Sequence, residues 1–376
     1  MNQNERDSAP SADQGPAHLT VRLGALVANY REAVRRAAPA MVAPVVKADA
    51  YRIGMVPVAQ ALASEGADTF FVARLEEGIA LRVLLPRARI FVFDGVASGT
   101  APGLIAHRLT PVLNSLDEIA EWSHAAAIRK ASLDAGLHID TGMNRSGLSH
   151  DELGQLAARA REALSGINLA LIMSHLACAD EPDHAKNRHQ LERFRSCLAQ
   201  LPPPAPASLA ASAGIELGRD YLFDMVRLGM GLYGGNPVPS RVNPYRTVAV
   251  FTSRVLQIRK LGAGETVGYG ATFTAKRAVT LAIVALGYAD GMMRSGSGKA
   301  SAAIGGIRVP VVGRISMDLL ALDVSALGEQ AVRRGTEVEF LGDTITLEEL
   351  ATAAGTINHE VLTAISPRVR RIYVGD

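Results

Sequence analysis

Between residue 18 and about residue 240 the chain repeats one pattern, a short β-rich run followed by a segment of helical period. The runs are Val42–Val46, Thr69–Ala73, Arg89–Phe93, Leu109–Leu113, Gly136–Ile139, Leu169–Met173, Ala207–Ala211 and Met225–Gly229. Segments such as Val56–Glu65, Glu76–Leu84, Leu116–Arg129, His150–Leu164 and His184–Gln200 lie between them. Strands that alternate with helices pair in parallel, because a crossover helix returns the chain to the same end of the sheet. An open doubly wound sheet uses this local pattern too, but eight repeats match a (β/α)8 barrel of the TIM type. Polar residues gather where the runs end: Lys47 and Asp49, Arg74, Asp94, Asn114, Asp140 to Arg145, Ser174–His175, Ser212 and Arg227. In a parallel barrel those positions form the C-terminal face, where ligand chemistry is built. Strands that simply end in polar turns explain one or two such positions, and less comfortably a lysine, a histidine and two arginines.

Beyond the turn-rich stretch GGNPVPSRVNP (234–244) the texture changes. Val248–Ile258, Thr266–Phe273, Ala278–Leu286, Ala300–Ile304, Arg308–Val312 and Leu319–Val324 alternate or are β-branched, with Gly-rich turns between them. This predicts a mostly antiparallel β domain containing one clear helix, Leu347–Ala354, N-capped by Thr346. The expected division is a lead-in at 1–17, a barrel at 18–243 and a β domain at 244–376. The lead-in (MNQNERDSAPSADQGPA) is polar and aperiodic, so it is expected to be disordered and to carry no secretory signal.

Composition narrows the partners. Of 376 residues, 39 are Lys or Arg and 37 Asp or Glu, a net charge of 39 − 37 = +2, which gives no electrostatic reason to expect nucleic acid or a membrane surface. The longest apolar run, Val279–Ala289, is about half of the ~20 residues that span a bilayer. Two cysteines, Cys178 and Cys197, exclude a disulfide framework and point to the cytoplasm.

Lys47 follows the apolar run VAPVV at the end of the first strand. Burying an ammonium there penalises its charged form, and a lysine of lowered pKa is a good Schiff-base former and proton carrier. A surface lysine at the start of a loop is the plain alternative, and its context decides. The hexapeptide VKADAY (46–51), with HIDTGMNRSGL (138–148), SHLACAD (174–180), VRLGMGLYG (226–234), VGYGATF (267–273), LGYADG (286–291) and GRISMDL (313–319), resembles the alanine racemase family in order and spacing. The resemblance covers residues from about 18 to 375. The family's enzymes use pyridoxal 5'-phosphate (PLP) and have an N-terminal barrel and a C-terminal β domain.

The resemblance implies a role for each matching residue. Lys47 matches the lysine that holds PLP covalently and acts as one base. Tyr51 matches a tyrosine that reaches the cofactor phosphate, and Ser212, Gly229 and Met230 match further phosphate contacts. Arg145 matches an arginine near the cofactor phenolic oxygen and the substrate carboxylate, a site suited to a permanently charged fork. His175 matches a histidine beside the cofactor ring, linked to Arg227 and to the catalytic tyrosine. Arg227 matches the arginine facing the pyridine nitrogen. A carboxylate there would keep that nitrogen protonated, whereas an arginine cannot take the proton, which disfavours transamination. Taken alone, Arg227 reads as a barrel-mouth salt bridge.

Tyr269 matches the second base, donated by the partner subunit of a head-to-tail homodimer. Racemisation needs a group on each face of Cα. A tyrosine of pKa about 10 is a poor base, so its pKa would have to be depressed, with the His175–Arg227 pair as source. The flanking glycines of Tyr269 by themselves could mark only a turn. Tyr288, Met317 and Asp318 match access-channel and substrate-carboxylate positions, with the Met317 backbone N–H as donor. No metal is implied.

Four positions depart from the family pattern. Arg52-Ile53 follows Tyr51 where Gly-His is usual; Arg52 either adds phosphate compensation or points to solvent. His138 replaces a lysine that some members carbamylate to orient the arginine matched by Arg145, leaving that role to a water or an anion. His359 replaces a tyrosine near the cofactor phosphate, which predicts a pH–rate limb near neutrality that His359→Tyr moves. Ala211 replaces a common asparagine. The expected activity is interconversion of L- and D-alanine, supplying D-alanine for peptidoglycan. A serine or broader racemase is the nearest alternative. A decarboxylase of this barrel class would place an acid where Arg227 stands. A PLP-binding regulatory protein would lack the β domain and with it Tyr269, Met317 and Asp318.

Overall fold

The computed structural model describes residues 15–201, 205–328 and 330–375. The chain divides into two compact units, Leu23–Arg246 and Thr247–Gly375 together with the segment ending at Arg22. Residues 1–14 of the expected disordered lead-in lie outside the described residues, while Ala17 is buried.

The expected barrel start at residue 18 is corrected. Strand β1 (His18–Arg22) belongs to the β unit, where it pairs antiparallel with Ala249–Leu261 and parallel with Arg370–Val374. Its alternating burial matches a strand with one buried face, and five residues cannot announce their partners in sequence.

The first unit is a closed ring of eight parallel strands: β2 (Met41–Pro44), β3 (Thr69–Val72), β4 (Arg89–Val92), β5 (Thr110–Leu113), β6 (Leu133–His138), β7 (Ile167–Met173), β8 (Ala207–Ser208) and β9 (Met225–Leu228). Strands β3 to β8 are neighbours in order, and β2 pairs with β9 through Met41↔Met225 to Pro44↔Leu228. Bridges Val45↔Phe71 and Ala211↔Arg227 join β2 to β3 and β8 to β9. Pairing of the first strand with the last excludes the open sheet. Inside the ring Phe71 stacks on Phe91 at 4.8 Å and on Phe93 at 5.1 Å. Around it the helices bury one apolar stripe each. Leu116–Arg129 buries Ile119, Trp122 and Ala126, starts where Ser115 accepts the Glu118 N–H, and stops at Lys130 in the left-handed conformation. The predicted helix His150–Leu164 breaks at Arg159, whose φ of −133° separates His150–Ala158 from Ala160–Ala163.

The second unit is built on Ala249–Leu261, a 13-residue strand that pairs with β1, Glu337–Leu341 and Val279–Val284. Register shifts at Phe251/Thr252 and Val255/Gln257 let this one strand serve several partners. Thr346 caps Leu347–Ala354 reciprocally with Glu349, as expected. A second helix, Asn358–Ala364, was not legible: its N-cap is Ile357, with no capping side chain. The predicted strand Thr266–Phe273 is instead a short hairpin, Thr266–Val267 with Phe273–Thr274, whose tip is a 3-10 turn, Tyr269–Ala271. Among the described residues no helix is long and apolar enough to cross a membrane.

Candidate active site

Lys47 sits just past β2 and opens an unusual turn. Five consecutive non-glycine residues, Ala48 to Arg52, have φ between 52° and 65°. Each left-handed residue with a Cβ costs roughly 1–2 kcal/mol, so the surroundings must hold this turn. Glu77 does so with both carboxylate oxygens, accepting the Ala48 N–H at 2.6 Å and the Ala73 N–H at 2.8 Å. Asp49 accepts the Met55 N–H at 2.8 Å. The turn leaves Lys47 half-buried with Nζ 5.7 Å from the Phe93 ring centroid. Burial, and then the charge of Arg145, pull its pKa below the ordinary lysine value.

The turn also directs Tyr51 inward, 4.6 Å from the Tyr233 ring centroid. Burial pushes its phenol pKa up, so it is a hydrogen-bond donor at neutral pH. A Cβ on Gly229 would lie 2.7 Å from the Tyr51 hydroxyl, and glycine leaves that space open. Beside it the Ser212 hydroxyl accepts N–H groups from Gly229 at 3.1 Å and Gly231 at 3.2 Å. With both lone pairs engaged, that hydroxyl can only donate outward. The Met230 N–H has no partner among the described residues. Three donors, the Tyr51 and Ser212 hydroxyls and the Met230 N–H, therefore border one spot at the ends of β2, β8 and β9.

Arg227, on β9, is 2 % exposed and is held without any carboxylate among the described residues. Its Nη1 donates to the Ser208 carbonyl at 3.0 Å and hydroxyl at 2.6 Å, and its Nη2 to the Ser174 carbonyl at 2.7 Å. Burial lowers its pKa to about 9, leaving it charged at neutral pH. Nη2 also lies 3.2 Å from His175 Nδ1. Burial and the charges of Arg227 and Arg145 drive His175 well below the ordinary histidine value, so the ring is neutral. Gln190, fully buried, accepts the Ala177 N–H at 2.9 Å and donates to the His175 carbonyl at 2.9 Å.

Arg145 is carried by a loop that Asp140 braces by accepting the N–H groups of Gly142, Met143 and Asn144. Arg145 is exposed and makes no hydrogen bond or ion pair among the described residues. Beneath it is His138. The Asn114 amide nitrogen donates to the Phe93 and Val112 carbonyls, which turns its oxygen to His138 Nδ1 at 2.9 Å. Nδ1 is then the donor, and burial with the charges of Arg227 and Arg145 lowers the His138 pKa to about 4. The departure at this position is thus a neutral imidazole fixed in one tautomer. Arg52 is half-buried and ends the left-handed turn. Ala211 meets Arg227 through a backbone bridge, which no side chain decides.

The remaining predicted residues lie in the β unit. Tyr269 is 71 % exposed at its hairpin tip, between Gly268 at φ 72° and Gly270 at φ 70°. Tyr288 is 43 % and Met317 54 % exposed, and Asp318 lies next to Met317 with an exposed carboxylate. The Met317 N–H has no partner among the described residues. His359 is exposed on Asn358–Ala364. Lys47, Tyr51, His175, Ser212, Arg227, Gly229 and Met230 thus share one barrel end, while Tyr288, Met317 and Asp318 share one loop cluster. Asn114 stood among the polar strand ends without a role, and Glu77, Gln190 and Ser208 were missed. For Gln190 a signal existed, since with Asn187 it interrupts the stripe Leu191, Phe194 and Cys197 on its helix.

Residues 21–237 match the family described as "Alanine racemase, N-terminal domain", and residues 248–373 match "Alanine racemase, C-terminal domain". The chain is 47 % identical to the alanine racemase of Methylobacterium nodulans, covering 95 % of this chain and 96 % of that protein. It is 45 % identical to a catabolic alanine racemase of Agrobacterium fabrum, covering 97 % and 94 % respectively. Among solved structures, alanine racemase from Bartonella henselae, described with covalently bound pyridoxal phosphate, superposes with a TM-score of 0.92. That structure is 37 % identical and covers 96 % of this chain and 100 % of its own.

Proposed function

Since the chain belongs to the alanine racemase family, we propose that it interconverts L- and D-alanine with PLP, using Lys47 and Tyr269 as opposing bases. The observation that carries this reading is the pairing at one barrel end of a half-buried lysine of lowered pKa with a buried, carboxylate-free arginine. Residues of the barrel fit the cofactor: Lys47 to hold it covalently, Arg227 to meet its ring nitrogen, and His175 to lie beside the ring. Tyr51, Ser212 and the Gly229–Met230 backbone suit its phosphate, because three polar donors border the space that a Gly229 Cβ would fill. His359 and Arg145 complete the proposed cofactor contacts.

When bound, PLP supplies an electron sink for the pair left at Cα once its proton is removed. Arg227 moderates that sink. As a donor only, it cannot accept a hydrogen bond from a protonated ring nitrogen, so that nitrogen would stay unprotonated, charge would stay near Cα and the proton would return there. Lys47 Nζ, whose neutral form burial favours, takes or returns the Cα proton on one face. Tyr269, supplied by the partner subunit of a homodimer, serves the other face. His175 accepts at Nδ1 from Arg227, carries its proton on Nε2, and can donate it to a tyrosine oxygen, stabilising the phenolate. Arg145, the Met317 N–H, Tyr288 and Asp318 bind and orient the substrate. A cytoplasmic location completes the reading, supported by two free cysteines, Cys178 and Cys197.

Purified protein should show an absorbance band at the visible edge that borohydride removes, leaving a covalent label on Lys47. Exchange of the α-proton across a panel of L-amino acids then ranks the substrates, with alanine first. Bound PLP without alanine exchange would overturn the assignment, and faster exchange of serine would favour the broader racemase.

A further inference from the structure

Within the β unit, the loop Gly287–Gly291 is wedged between two others. On one side the Tyr288 N–H donates to the Ser316 carbonyl at 3.0 Å and the Ala289 N–H to the Met317 carbonyl at 3.0 Å. The contact is so close that a Cβ on Gly287 would lie 2.1 Å from the Met317 carbonyl oxygen. On the other side a Cβ on Gly291 would lie 2.6 Å from Ile365 Cα, and the Ser366 N–H donates to the Asp290 carbonyl at 3.0 Å. Tyr288, Met317 and Asp318 are therefore carried by loops that cannot shift independently.

One ionic cluster ties these loops together. Asp290 is only 7 % exposed, and one of its carboxylate oxygens accepts the Gly287 N–H at 2.8 Å. Its other oxygen accepts Arg368 Nε at 2.7 Å, and Arg368 Nη2 reaches the Asp318 carboxylate at 2.8 Å. One guanidinium thus forks between a buried acid and an exposed one. The hydrogen bond to Asp290, then that to Asp318, raise the arginine pKa further, so its charge is permanent.

This arrangement answers an electrostatic difficulty. A loop whose free Met317 N–H is to receive a carboxylate carries the negative charge of Asp318 on the adjacent residue, and like charges at such range repel. We propose that Arg368 is a positioning residue: anchored by Asp290, it neutralises and orients Asp318 so that the Met317 loop accepts an anionic group. The inference rests on the racemase reading above and adds two residues, Asp290 and Arg368, to its substrate end.

The test uses the PLP-loaded enzyme, with alanine as substrate and propionate as a carboxylate that binds without reacting. Arg368→Gln should raise KM in both directions, and the propionate inhibition constant with it, by about tenfold, the loss of one charge-assisted contact, while kcat stays within about twofold. Adding Asp318→Asn to that variant removes the uncompensated charge and should bring both constants back to within about threefold of wild type, a recovery that a merely structural role for Arg368 would not produce. Asp290→Asn keeps an oxygen for the Gly287 N–H while loosening Arg368, so it should raise both constants even if Arg368→Gln does not fold. Unchanged constants in the folded single variants, or no recovery in the double variant, would overturn the proposal. A wild-type holoenzyme that does not exchange the alanine α-proton would instead overturn the racemase reading itself.

Discussion

Arg227 Nη2 and His175 Nδ1 stand 3.2 Å apart, and only one proton arrangement satisfies that contact. A guanidinium has no lone pair to offer, so the imidazole accepts at Nδ1 and keeps its proton on Nε2. The arginine thereby fixes the histidine tautomer from below, and the Gln190 contact to the His175 carbonyl fixes its backbone. A site that must stabilise an oxyanion needs a donor aimed at it before the reaction begins.

Replacing Tyr269 by Phe removes one of two opposed proton carriers. Racemisation should fall by about 10²–10⁴-fold, the usual worth of a positioned acid–base group. Exchange of the α-proton with solvent should persist for one enantiomer, served by Lys47. Proton NMR in heavy water reads this directly, and equal loss for both enantiomers would rule out two-base chemistry.

Gly229 has φ −111° and ψ −99°, outside the main regions open to a residue with a Cβ. A Cβ there would also meet the Tyr51 hydroxyl at 2.7 Å and push it aside. Gly229→Ala should weaken PLP binding by about tenfold, consistent with the loss of one hydrogen bond to a charged group. An absorbance titration with PLP measures it, and an unaltered affinity would remove Tyr51 from the phosphate site.

The same substitution should have opposite consequences at two alanines. Ala127 lies in the helix Leu116–Arg129, where Ala→Gly costs about 1 kcal/mol. Ala48 has φ 53°, a conformation glycine adopts without a Cβ penalty of roughly 1–2 kcal/mol. Relief there offsets the greater freedom of glycine in the unfolded chain, so Ala48→Gly should be neutral or slightly stabilising. Urea unfolding of the two variants compares them.

Acid stability follows from the two buried histidines. Burial, with Arg227 and Arg145, lowers the His138 pKa to about 4 and His175 well below its ordinary value. The unfolded chain takes up these protons near pH 6.5, so below that it binds more protons than the folded chain. Stability is therefore complete above about pH 6.5 and declines as pH falls toward about 4, where His138 itself titrates. Between about pH 6.5 and about pH 5 His138 alone accounts for on the order of 2 kcal/mol. His138→Gln should lose less stability than wild type when urea unfolding is compared at about pH 7.5 and about pH 5. Parallel losses would contradict this.

Much of the barrel was legible because its signal is local. Strand runs such as Thr69–Ala73 and Arg89–Phe93 coincide with β3 and β4 to within a residue, since β-branched and aromatic runs ending in turns need no distant partner to be recognised. Leu116–Arg129 was read to the residue because its cap Ser115 and its acidic first turn are written beside it. The β unit was less legible. The Tyr269 turn sits inside a β-rich run, and Asn358–Ala364 has no capping side chain. Polar residues that end strands were found at Lys47, Asn114, His175 and Arg227, whereas Glu77, within a helix, and Ser208, within a strand, reveal themselves only by what they bond.

From the sequence alone came the alternation, the eight runs and the types of residue at their ends, because periodicity and turn chemistry act over a few residues. Tertiary structure alone decided the rest. Closure of β2 onto β9 depends on segments about 180 positions apart in the chain, and no local pattern encodes such a pairing. The left-handed turn after Lys47 exists because Glu77 and Asp49 hold it against its own strain. The tautomers of His138 and His175 follow from the bonds of Asn114 and Arg227. Protonation and strain are set by desolvation and by neighbours brought together through folding, and these are properties of a place, not of a residue type.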